Sequence, residues 1–419
     1  MTKVNLQPVK GTRDFYPEEM KFRKFLFGKM REVSQRFGFE EYDGPILEPV
    51  ELYLGKSSEE LIKKQTFLLK DRSGKTLALR PELTPSLARM VACKKGQLTL
   101  PLRWFSIGPR FRYEQPQKGR LREFYQWDVD LLGIDTPEAD AEVIALAITF
   151  LKELGFTPQE VVVKINSRKL MDFKFSLMEL SQDKRRDVLK AIDRKDKMKK
   201  EEWVSYLKSL GLKDLQIKDL EKILQDTDYK IESPELTEVF STLSDLGVAE
   251  YAQYDPNIVR GLDYYTGTVF EVRDRQGKFR AIMGGGRYDN LVENIGGEKI
   301  SGIGFAAGDV LLELLIKEYK KKLIYKKSNT SILVTVFGEA FYRSSLLIAN
   351  KLRSSGFNCE FYLKIDKLDK QLKYADKKGI PYVVIIGPDE EKMGKITVKD
   401  MVGKKQETMT VEEFIKTLK

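Results

Sequence analysis

The stretch RFRYEQPQKGRLREFYQWDVD, which runs from Arg110 to Asp130, decides the fold prediction. Its two ends alternate as β-strands do, and a loop rich in Gln, Lys, Gly and Arg connects them. Two strands joined by a loop of hairpin length predict an antiparallel pair, here 103–112 with 122–132. Strand-like segments at 66–70 and 76–80 flank a second turn, which extends the prediction to an antiparallel sheet.

The same stretch also predicts a binding site. Alternate residues of a strand share a face, so Arg110 and Arg112 point to one side of the first strand. On the second strand, Phe124, Gln126, Asp128 and Asp130 share one face. Strands this charged are costly to bury unless a ligand compensates them, which favours a polyanion site with guanidinium groups on phosphate. A solvent-exposed edge strand with screened ion pairs is the alternative.

Three further motifs are candidates for the same site. In LRPELTP, Glu82 and Thr84 stand at the start of a predicted helix and could bind an ammonium group, although a capping arrangement would look the same. In VRGLDYYTGTVF (259–270) an Arg-Gly pair precedes two tyrosines, with an aromatic core ladder as the alternative. The glycines of GGGRYD (284–289) allow a ligand to approach the backbone, but the end of a flexible hairpin would have them too.

Composition excludes several classes of protein. The chain has 419 residues, 73 Lys plus Arg and 63 Asp plus Glu, hence a net charge of +10 that permits an acidic partner. It has no histidine, which excludes Ser-His-Asp and Cys-His catalysis and histidine metal ligands. Two distant cysteines, no apolar signal segment and no apolar run of membrane length predict a reduced, cytoplasmic protein that does not bind a membrane.

Changes in pattern divide the chain into five segments. Strands and glycine loops characterise 1–166 and return in 234–318, so both are assigned to one core domain. Between them, 167–233 is rich in Lys, Asp, Leu and Glu and predicts a helical insertion. A basic linker, 319–329, precedes 330–419, whose alternating strands and helices predict a small α/β domain with largely parallel strands.

Together the motifs resemble the histidyl-tRNA synthetases, a family of class II aminoacyl-tRNA synthetases. The resemblance covers essentially the whole chain. It implies an α+β catalytic domain with an antiparallel sheet, a helical insertion and a C-terminal α/β anticodon-binding domain, in a homodimer built through motif 1. It is carried by Lys10–Asp14, the motif 1 region around Pro45, Leu79–Glu82, motif 2 at Phe111–Gln126, and the signatures Arg260–Tyr265 and Gly284–Asp289.

The resemblance implies an ATP site. Arg112 and Arg260 match the catalytic arginines on the α-phosphate, and Glu114 matches a residue on the adenine side. Class II motif 3 usually ends with an arginine on the γ-phosphate, but this chain has Asp309-Val310 where Glu-Arg is expected. Arg287 or another basic residue is expected to substitute, unless the chain is a catalytically weakened relative. ATP and Mg²⁺ are implied, without an assignment of the metal ligands.

The resemblance also implies sites for L-histidine and tRNA. Glu82 and Thr84 match the family's ligands for the α-amino group, and Gln126 matches a residue that contacts the amino-acid backbone. Asp130 and Tyr265 match the pair of acceptors that reads the imidazole nitrogens, and Tyr264, next to Tyr265, is also expected to bind histidine. The motif 2 loop matches the region that meets the acceptor end of tRNA(His), through Gln115, Gln117, Lys118 and Arg120.

Two alternatives to a ligase remain. One is a relative that regulates the first enzyme of histidine biosynthesis; such relatives typically lack the C-terminal domain and blur the RGLDYY signature, and both are intact here. The other is an RNA-binding or signalling protein on an inactive synthetase scaffold. Arg112, Arg260 and Glu82 argue against that reading, and Val310 argues slightly for it.

Overall fold

The protein is described here by a computed structural model, and its chain forms two compact units. The first unit consists of Met1–Asp14 with Leu26–Leu323, and the second of Phe15–Phe25 with Ile324–Lys419. Helix α1 (Pro17–Arg36) contributes residues to both units, and each unit has a β-sheet of its own. The structure describes residues 5–54, 65–94, 96–195, 198–228, 232–259, 264–319, 321–323, 325 and 328–418.

Eight strands form the main sheet of the first unit. They are β1 (Glu40–Glu41), β5 (Leu102–Phe111), β6 (Glu123–Leu132), β7 (Val161–Ser167), β8 (Ala252–Tyr254), β9 (Thr268–Asp274), β10 (Met283–Arg287) and β11 (Gly302–Gly308). Their order is β1-β5-β6-β11-β10-β9-β7-β8, and neighbouring strands are antiparallel except for the parallel pairs at the two ends. The predicted antiparallel sheet is therefore confirmed, and the two short parallel edge pairs are additions to it.

One face of this sheet is apolar and is covered by helix α3 (Pro137–Glu153). Trp127 and Phe150 are both fully buried, with their ring centroids 4.8 Å apart. Local sequence explains the bounds of the helix: the Thr136 hydroxyl accepts from the Ala139 amide, and Gly155 adopts φ +82° after the last turn. Because this face takes the apolar side chains of β6, the alternate polar side chains point to the opposite face.

A three-stranded antiparallel sheet lies between motif 1 and motif 2. It consists of β2 (Leu47–Pro49), β3 (Leu68–Lys70) and β4 (Thr76–Leu79), in the order β2-β4-β3, and it precedes helix α2 (Thr84–Cys93). The Phe111 amide donates to the Arg80 carbonyl at 3.0 Å. This bond places the end of β4 beside the end of β5, so that the LRPELTP segment adjoins the motif 2 strands.

The region between β7 and β8 is helical, as predicted. Its helices are α4 (Arg168–Leu177), α5 (Gln182–Arg194), α6 (Lys200–Ser209), α7 (Asp214–Ile223) and α8 (Pro234–Asp245). The first four enclose a hydrophobic cluster of their own, in which Phe175 and Trp203 are buried. The Trp203 indole nitrogen donates to the Ala191 carbonyl at 2.8 Å, so the one polar atom of that ring is satisfied inside the cluster.

Two further helices of the first unit come before and after β11 in the chain. They are α9 (Leu291–Asn294) and α10 (Asp309–Glu318).

The second unit contains a five-stranded mixed sheet. Its strands are β12 (Ile332–Val334), β13 (Cys359–Phe361), β14 (Tyr382–Ile385), β15 (Ile396–Asp400) and β16 (Lys405–Met409), and its helices after the linker are α11 (Tyr342–Ser354), α12 (Leu368–Lys378), α13 (Pro388–Met393) and α14 (Val411–Leu418). The order is β13-β12-β14-β15-β16. The expected parallel arrangement holds for the first three strands, whereas β15 and β16 form an antiparallel hairpin. Strand β16 is largely exposed and polar, so it lacks the apolar pattern that would have marked it.

Candidate active site

A cavity of about 900 Å³ opens over the polar face of the main sheet. The four residues of β6 that sequence alternation assigns to one face all line it: Phe124, Gln126, Asp128 and Asp130. Strands β9, β10 and β11, the motif 2 loop, the start of α2 and residues from the helical insertion complete its wall. Strand β6 is central in the sheet, between β5 and β11, so the alternative of a solvent-exposed edge strand is wrong.

Asp130 lines the cavity and lies against Tyr288. The Tyr288 hydroxyl donates a hydrogen bond to Oδ1 of Asp130, and both residues are buried. Burial raises the pKa of Asp130 to about 7, and the hydrogen bond from Tyr288 opposes that rise. Gly304 on the neighbouring strand leaves room for the carboxylate, because a Cβ there would lie in contact with Oδ1 of Asp130 and 2.5 Å from the Val129 carbonyl oxygen.

The LRPELTP segment adds a second acidic group to the cavity. Glu82 is buried, and the Tyr264 hydroxyl lies 3.5 Å from its Oε2 atom. Thr84 is the first residue of α2, and no side-chain hydrogen bond caps that helix. The capping alternative for this segment is therefore wrong, and both side chains line the cavity instead. Arg80 anchors the segment from beneath, donating to Asp43 Oδ1 at 2.6 Å and to the Pro109 carbonyl at 2.9 Å.

Cationic groups occupy the side of the cavity formed by the motif 2 loop. Arg112 donates to the Pro81 carbonyl at 3.0 Å, and its guanidinium lies 5.3 Å from the centre of the Phe124 ring. Arg120 pairs with Glu114 at 3.1 Å, between Nη1 and Oε2. The cavity is thus lined by both carboxylates and guanidinium groups. This arrangement suits a ligand with a cationic part and a polyanionic part.

Arg110 does not belong to the cationic side, although it begins the decisive stretch. It is fully buried and pairs with Asp128 at 2.6 Å, so its charge is neutralised within the sheet. Arg122 also lies outside the cavity lining: it donates to the Glu114 carbonyl and stacks on Tyr113. Of the four arginines between Arg110 and Arg122, only Arg112 and Arg120 line the cavity.

Arg287 is a correction to the sequence analysis, which expected it as a substitute phosphate ligand. It is buried and does not line the cavity. Its guanidinium is held by the Asp140 carboxylate and donates to the Thr136 carbonyl at 3.1 Å. A further contact of 3.4 Å joins it to Asp289 of the same motif. With its donors engaged by helix α3 and its own loop, Arg287 is a structural residue that locks GGGRYD in place.

Several lining residues went unnoticed in the sequence analysis. Arg280 and the paired Glu271 and Arg273 come from the β9–β10 hairpin, and their ion pair measures 2.8 Å. Lys190 and Arg194 come from helix α5 of the insertion. None of them lies in a recognisable motif, and only the pairing of β9 with β10 and the folding of the insertion bring them to the cavity.

Comparison with known proteins decides the family. A family model described as histidyl-tRNA synthetase matches residues 11–309, and one described as an anticodon-binding domain matches residues 331–419. The chain belongs to the histidyl-tRNA synthetase family. A relative from Leptospira biflexa named histidine–tRNA ligase is 36% identical over 430 residues, which span 100% of this chain and 98% of the relative.

Solved structures of the family agree with this assignment. A histidyl-tRNA synthetase from Staphylococcus aureus, 26% identical, superposes with a TM-score of 0.71 over 100% of both chains. A histidyl-tRNA synthetase from Nostoc superposes with a TM-score of 0.84 over 100% of both chains; at 24% identity it supports the fold alone. The class II fold expected from the sequence is therefore confirmed, with its C-terminal anticodon-binding domain.

The remaining residues that were expected to bind histidine can now be placed. Tyr265 lines the cavity, with its ring centroid 5.0 Å from that of Tyr264. The Oε1 atom of Gln126 is buried and has no hydrogen-bond partner among the residues that the structure describes, so a ligand could satisfy it. Arg260, expected as a catalytic arginine, lies outside the described residues, as do the other residues of 260–263.

The motif 2 loop is a tight hairpin at the rim of the cavity. Backbone hydrogen bonds of 2.8 and 3.1 Å join Gln117 and Arg120, and Gly119 adopts φ +81° between them. Gln115, Gln117 and Lys118 are exposed, whereas Arg120 points into the cavity. The Lys118 amino group lies 5.7 Å from the centre of the Phe279 ring. The four residues expected to meet tRNA thus divide into three on the outer rim and one inside.

Two absences concern metal and membrane. Among the described residues, no group of three or more acidic, cysteine or histidine side chains could hold a metal ion. Likewise, no helix within the described ranges is both long enough and apolar enough to span a bilayer.

Proposed function

We propose that the protein joins L-histidine to tRNA(His) in two steps within this cavity. Its family and its full-length relatives are histidine–tRNA ligases, so the protein is an aminoacyl-tRNA synthetase of class II. The proposal concerns which residues hold the substrates and how the two steps take place. The single observation that carries it is that one cavity is lined by the carboxylates of Glu82 and Asp130 together with the guanidinium groups of Arg112 and Arg120.

Histidine lies beside Glu82 and Asp130 in this proposal. Asp130 and Tyr265 accept the two imidazole N–H groups, because a carboxylate and a phenol oxygen on opposite sides match donors at both nitrogens. Glu82, Thr84 and the Tyr264 hydroxyl surround the α-ammonium group. Gln126 offers its unpartnered amide oxygen to the amino-acid backbone. A site of buried polar groups rejects analogues that leave those groups unpaired.

ATP lies beside the guanidinium groups of Arg112 and Arg120 in this proposal. Arg112 and Arg260 contact the α-phosphate, and Glu114 faces the adenine. A carboxylate oxygen of histidine attacks the α-phosphorus, the bond from that phosphorus to the bridging oxygen breaks, and pyrophosphate leaves with the electron pair. No protein group takes up a proton in this step, so a chain without histidine can perform it. Catalysis consists of positioning the reactants and stabilising the developing charge with cations.

Mg²⁺ fits this site as a companion of ATP. Mg²⁺ is commonly bound by one or two carboxylates together with substrate phosphates and waters, so a dedicated cluster of ligands is not required. Glu271, buried on strand β9 in the cavity wall, is a carboxylate in a position to hold it. When bound, the ion would supply Lewis-acid stabilisation to the phosphate oxygens.

The second step transfers histidine to tRNA. A hydroxyl of the terminal ribose attacks the carbonyl carbon of the adenylate, and the bond from that carbon to the phosphate oxygen breaks. AMP leaves with the electron pair, and its phosphate takes up the proton of the hydroxyl. Gln115, Gln117, Lys118 and Arg120 are proposed to contact the acceptor end, since amides suit base edges and cations suit phosphates. The domain at 331–419 is proposed to bind the anticodon.

We further propose a cytoplasmic homodimer. The family resemblance implies a dimer built through motif 1. The exposed apolar side chains of Ile46 and Leu47, next to Pro45, support this, since a second copy could cover them. Both cysteines are free thiols, as a reducing compartment would keep them.

Histidine-dependent exchange of radiolabelled pyrophosphate into ATP tests the adenylate step, and charging of tRNA(His) tests the second. We expect both activities from the purified protein, with exchange absent when histidine is omitted. A regulator of histidine biosynthesis would show neither. That alternative is the weaker one, because the relatives at about 35% identity over the full chain are ligases and the anticodon-binding domain is present.

A further inference from the structure

The hairpin between β9 and β10 brings to the cavity a guanidinium that the proposed roles do not yet use. Nη2 of Arg280 donates to the Gly119 carbonyl at 2.7 Å, which ties the hairpin to the tip of the motif 2 loop. Within the described part of the chain, no carboxylate forms an ion pair with Arg280. An arginine has five N–H donors, so most of those of Arg280 remain available to a ligand.

The surroundings of Arg280 carry a surplus of positive charge. Arg112 and Arg120 line the same side of the cavity, and the nearby carboxylate, Glu114, already pairs with Arg120. Although part of the side chain is exposed, desolvation and then repulsion by Arg120 and Arg112 lower the pKa of Arg280 to about 10, with Glu114 opposing the repulsion. Arg280 is still cationic at neutral pH, and an anion bound among the three guanidinium groups would relieve their repulsion.

The guanidinium groups follow an order along the cavity. Among charged neighbours, Glu82 does most to raise the pKa of Arg112, although burial lowers that pKa overall. Arg120, on the motif 2 loop, is the charged neighbour that does most to lower the pKa of Arg280. Arg112 also donates to Pro81, next to Glu82, while Arg280 donates to the loop tip at Gly119. Arg112 therefore lies closer to the reacting carboxylate, and Arg280 lies farther along the path of a bound polyphosphate.

We propose that Arg280 binds the terminal phosphates of ATP and the pyrophosphate that leaves. The proposal rests on the function proposed above and assigns the role for which Arg287 proved unsuitable. Val310 and Leu311 line the cavity at the start of the helix Asp309–Glu318, but their apolar side chains cannot bind a phosphate. When the bond between the α-phosphorus and the bridging oxygen breaks, negative charge grows on pyrophosphate, and Arg280 stabilises that charge without any proton transfer.

A comparison of nucleotides tests this role. Calorimetry would measure the affinities of ATP and AMP for the full-length wild type, Arg280→Ala and Arg280→Lys. We expect Arg280→Ala to weaken ATP binding by at least about tenfold and AMP binding by less than about twofold, because AMP lacks the terminal phosphates. Arg280→Lys should be intermediate, since it keeps the charge but loses the two-pronged donor.

Lys278→Ala is the matched control. Lys278 is exposed on the same hairpin and pairs with Glu318 at 2.5 Å, away from the cavity, so its loss should leave both affinities unchanged. Unchanged ATP affinity in Arg280→Ala, or equal losses for ATP and AMP, would overturn the proposal. Failure of the Arg280 role can be distinguished from failure of the function proposed above. If that function is wrong, the wild-type protein shows no histidine-dependent exchange, whatever the ratio of ATP to AMP affinity.

Discussion

The phenolic hydroxyl of Tyr288 is bonded to the carboxylate of Asp130, and neither residue is exposed to bulk solvent. Tyr288 belongs to the GGGRYD loop and Asp130 to the end of the motif 2 strand, so the bond joins two motifs 158 residues apart. It gives Tyr288 a function beyond packing. The hydroxyl favours the ionised carboxylate, which is the stronger hydrogen-bond acceptor for the imidazole in the proposed histidine site.

Tyr288→Phe should weaken histidine binding. Without the hydroxyl, the pKa of Asp130 rises further above its usual range, and less carboxylate is present at neutral pH. A hydrogen bond to a charged group contributes about 1.5–3 kcal/mol, so we expect the KM for histidine in pyrophosphate exchange to rise by about 10- to 100-fold. The KM for ATP should not change. Tyr42→Phe is the control, because its buried hydroxyl has no hydrogen-bond partner among the described residues; equal effects of the two changes would contradict this role for Tyr288.

Asp130→Asn should stabilise the ligand-free protein at high pH. Burial raises the pKa of Asp130 from 3.8 to about 7, so the folded state binds the proton more tightly than the unfolded state. The resulting stabilisation is fully present below about pH 4 and is lost as the pH rises through about 7. Relative to wild type, the Asn variant should gain stability between pH 4 and pH 8, by at most about 4 kcal/mol. Urea unfolding at several pH values measures this gain, and a difference independent of pH would contradict it.

Gly304→Ala should damage the histidine end of the cavity, whereas Gly308→Ala should not. An added Cβ at Gly304 would meet the Asp130 carboxylate and the Val129 backbone, and one at Gly308 would meet nothing within 4 Å. Both glycines belong to β11, and Gly308 is also the N-cap of the helix that follows. We expect Gly304→Ala to lose about 1–3 kcal/mol of unfolding free energy and most histidine activation. Thermal unfolding and pyrophosphate exchange report the two effects; similar results for both variants would rule out the steric argument.

Lys118→Ala should affect tRNA charging but not adenylate formation. Lys118 is exposed on the outer rim of the motif 2 loop, outside the cavity lining. If it contacts one phosphate, charging should weaken, and the logarithmic dependence of the KM for tRNA on salt concentration should lose about one unit of slope. Pyrophosphate exchange should stay at the wild-type rate. Lys278→Ala removes a comparable exposed charge, and an identical loss of slope there would show that only the overall charge matters.

Much of the sheet and one face of the site followed from residue order. The period-two alternation of β6 places Phe124, Gln126, Asp128 and Asp130 on one face, and all four line the cavity. Alternation succeeds here because successive residues of a strand must point to opposite sides. The β15–β16 hairpin was missed because an exposed polar strand has no such apolar signal.

The roles of the arginines were harder to predict, because the partner of a guanidinium on a long side chain depends on which groups lie near it in the folded protein. Arg110 and Arg112 are two residues apart and share a face in the strand pattern. Even so, Arg110 pairs with Asp128 inside the sheet, while Arg112 reaches the cavity. The strand pattern could indicate the face of each residue but not which carboxylate would lie within reach.

The sequence by itself determined the family and the class II fold through the resemblance of its motifs, and it determined the antiparallel strands through their local spacing and periodicity. It also excluded every mechanism that needs a protein histidine. Only the tertiary structure decided that Arg287 is locked against Asp140 and that Arg280 faces the motif 2 loop. Both outcomes depend on strand pairing and helix packing between segments distant in the chain, which determine the nearest opposite charge and the face open to a ligand.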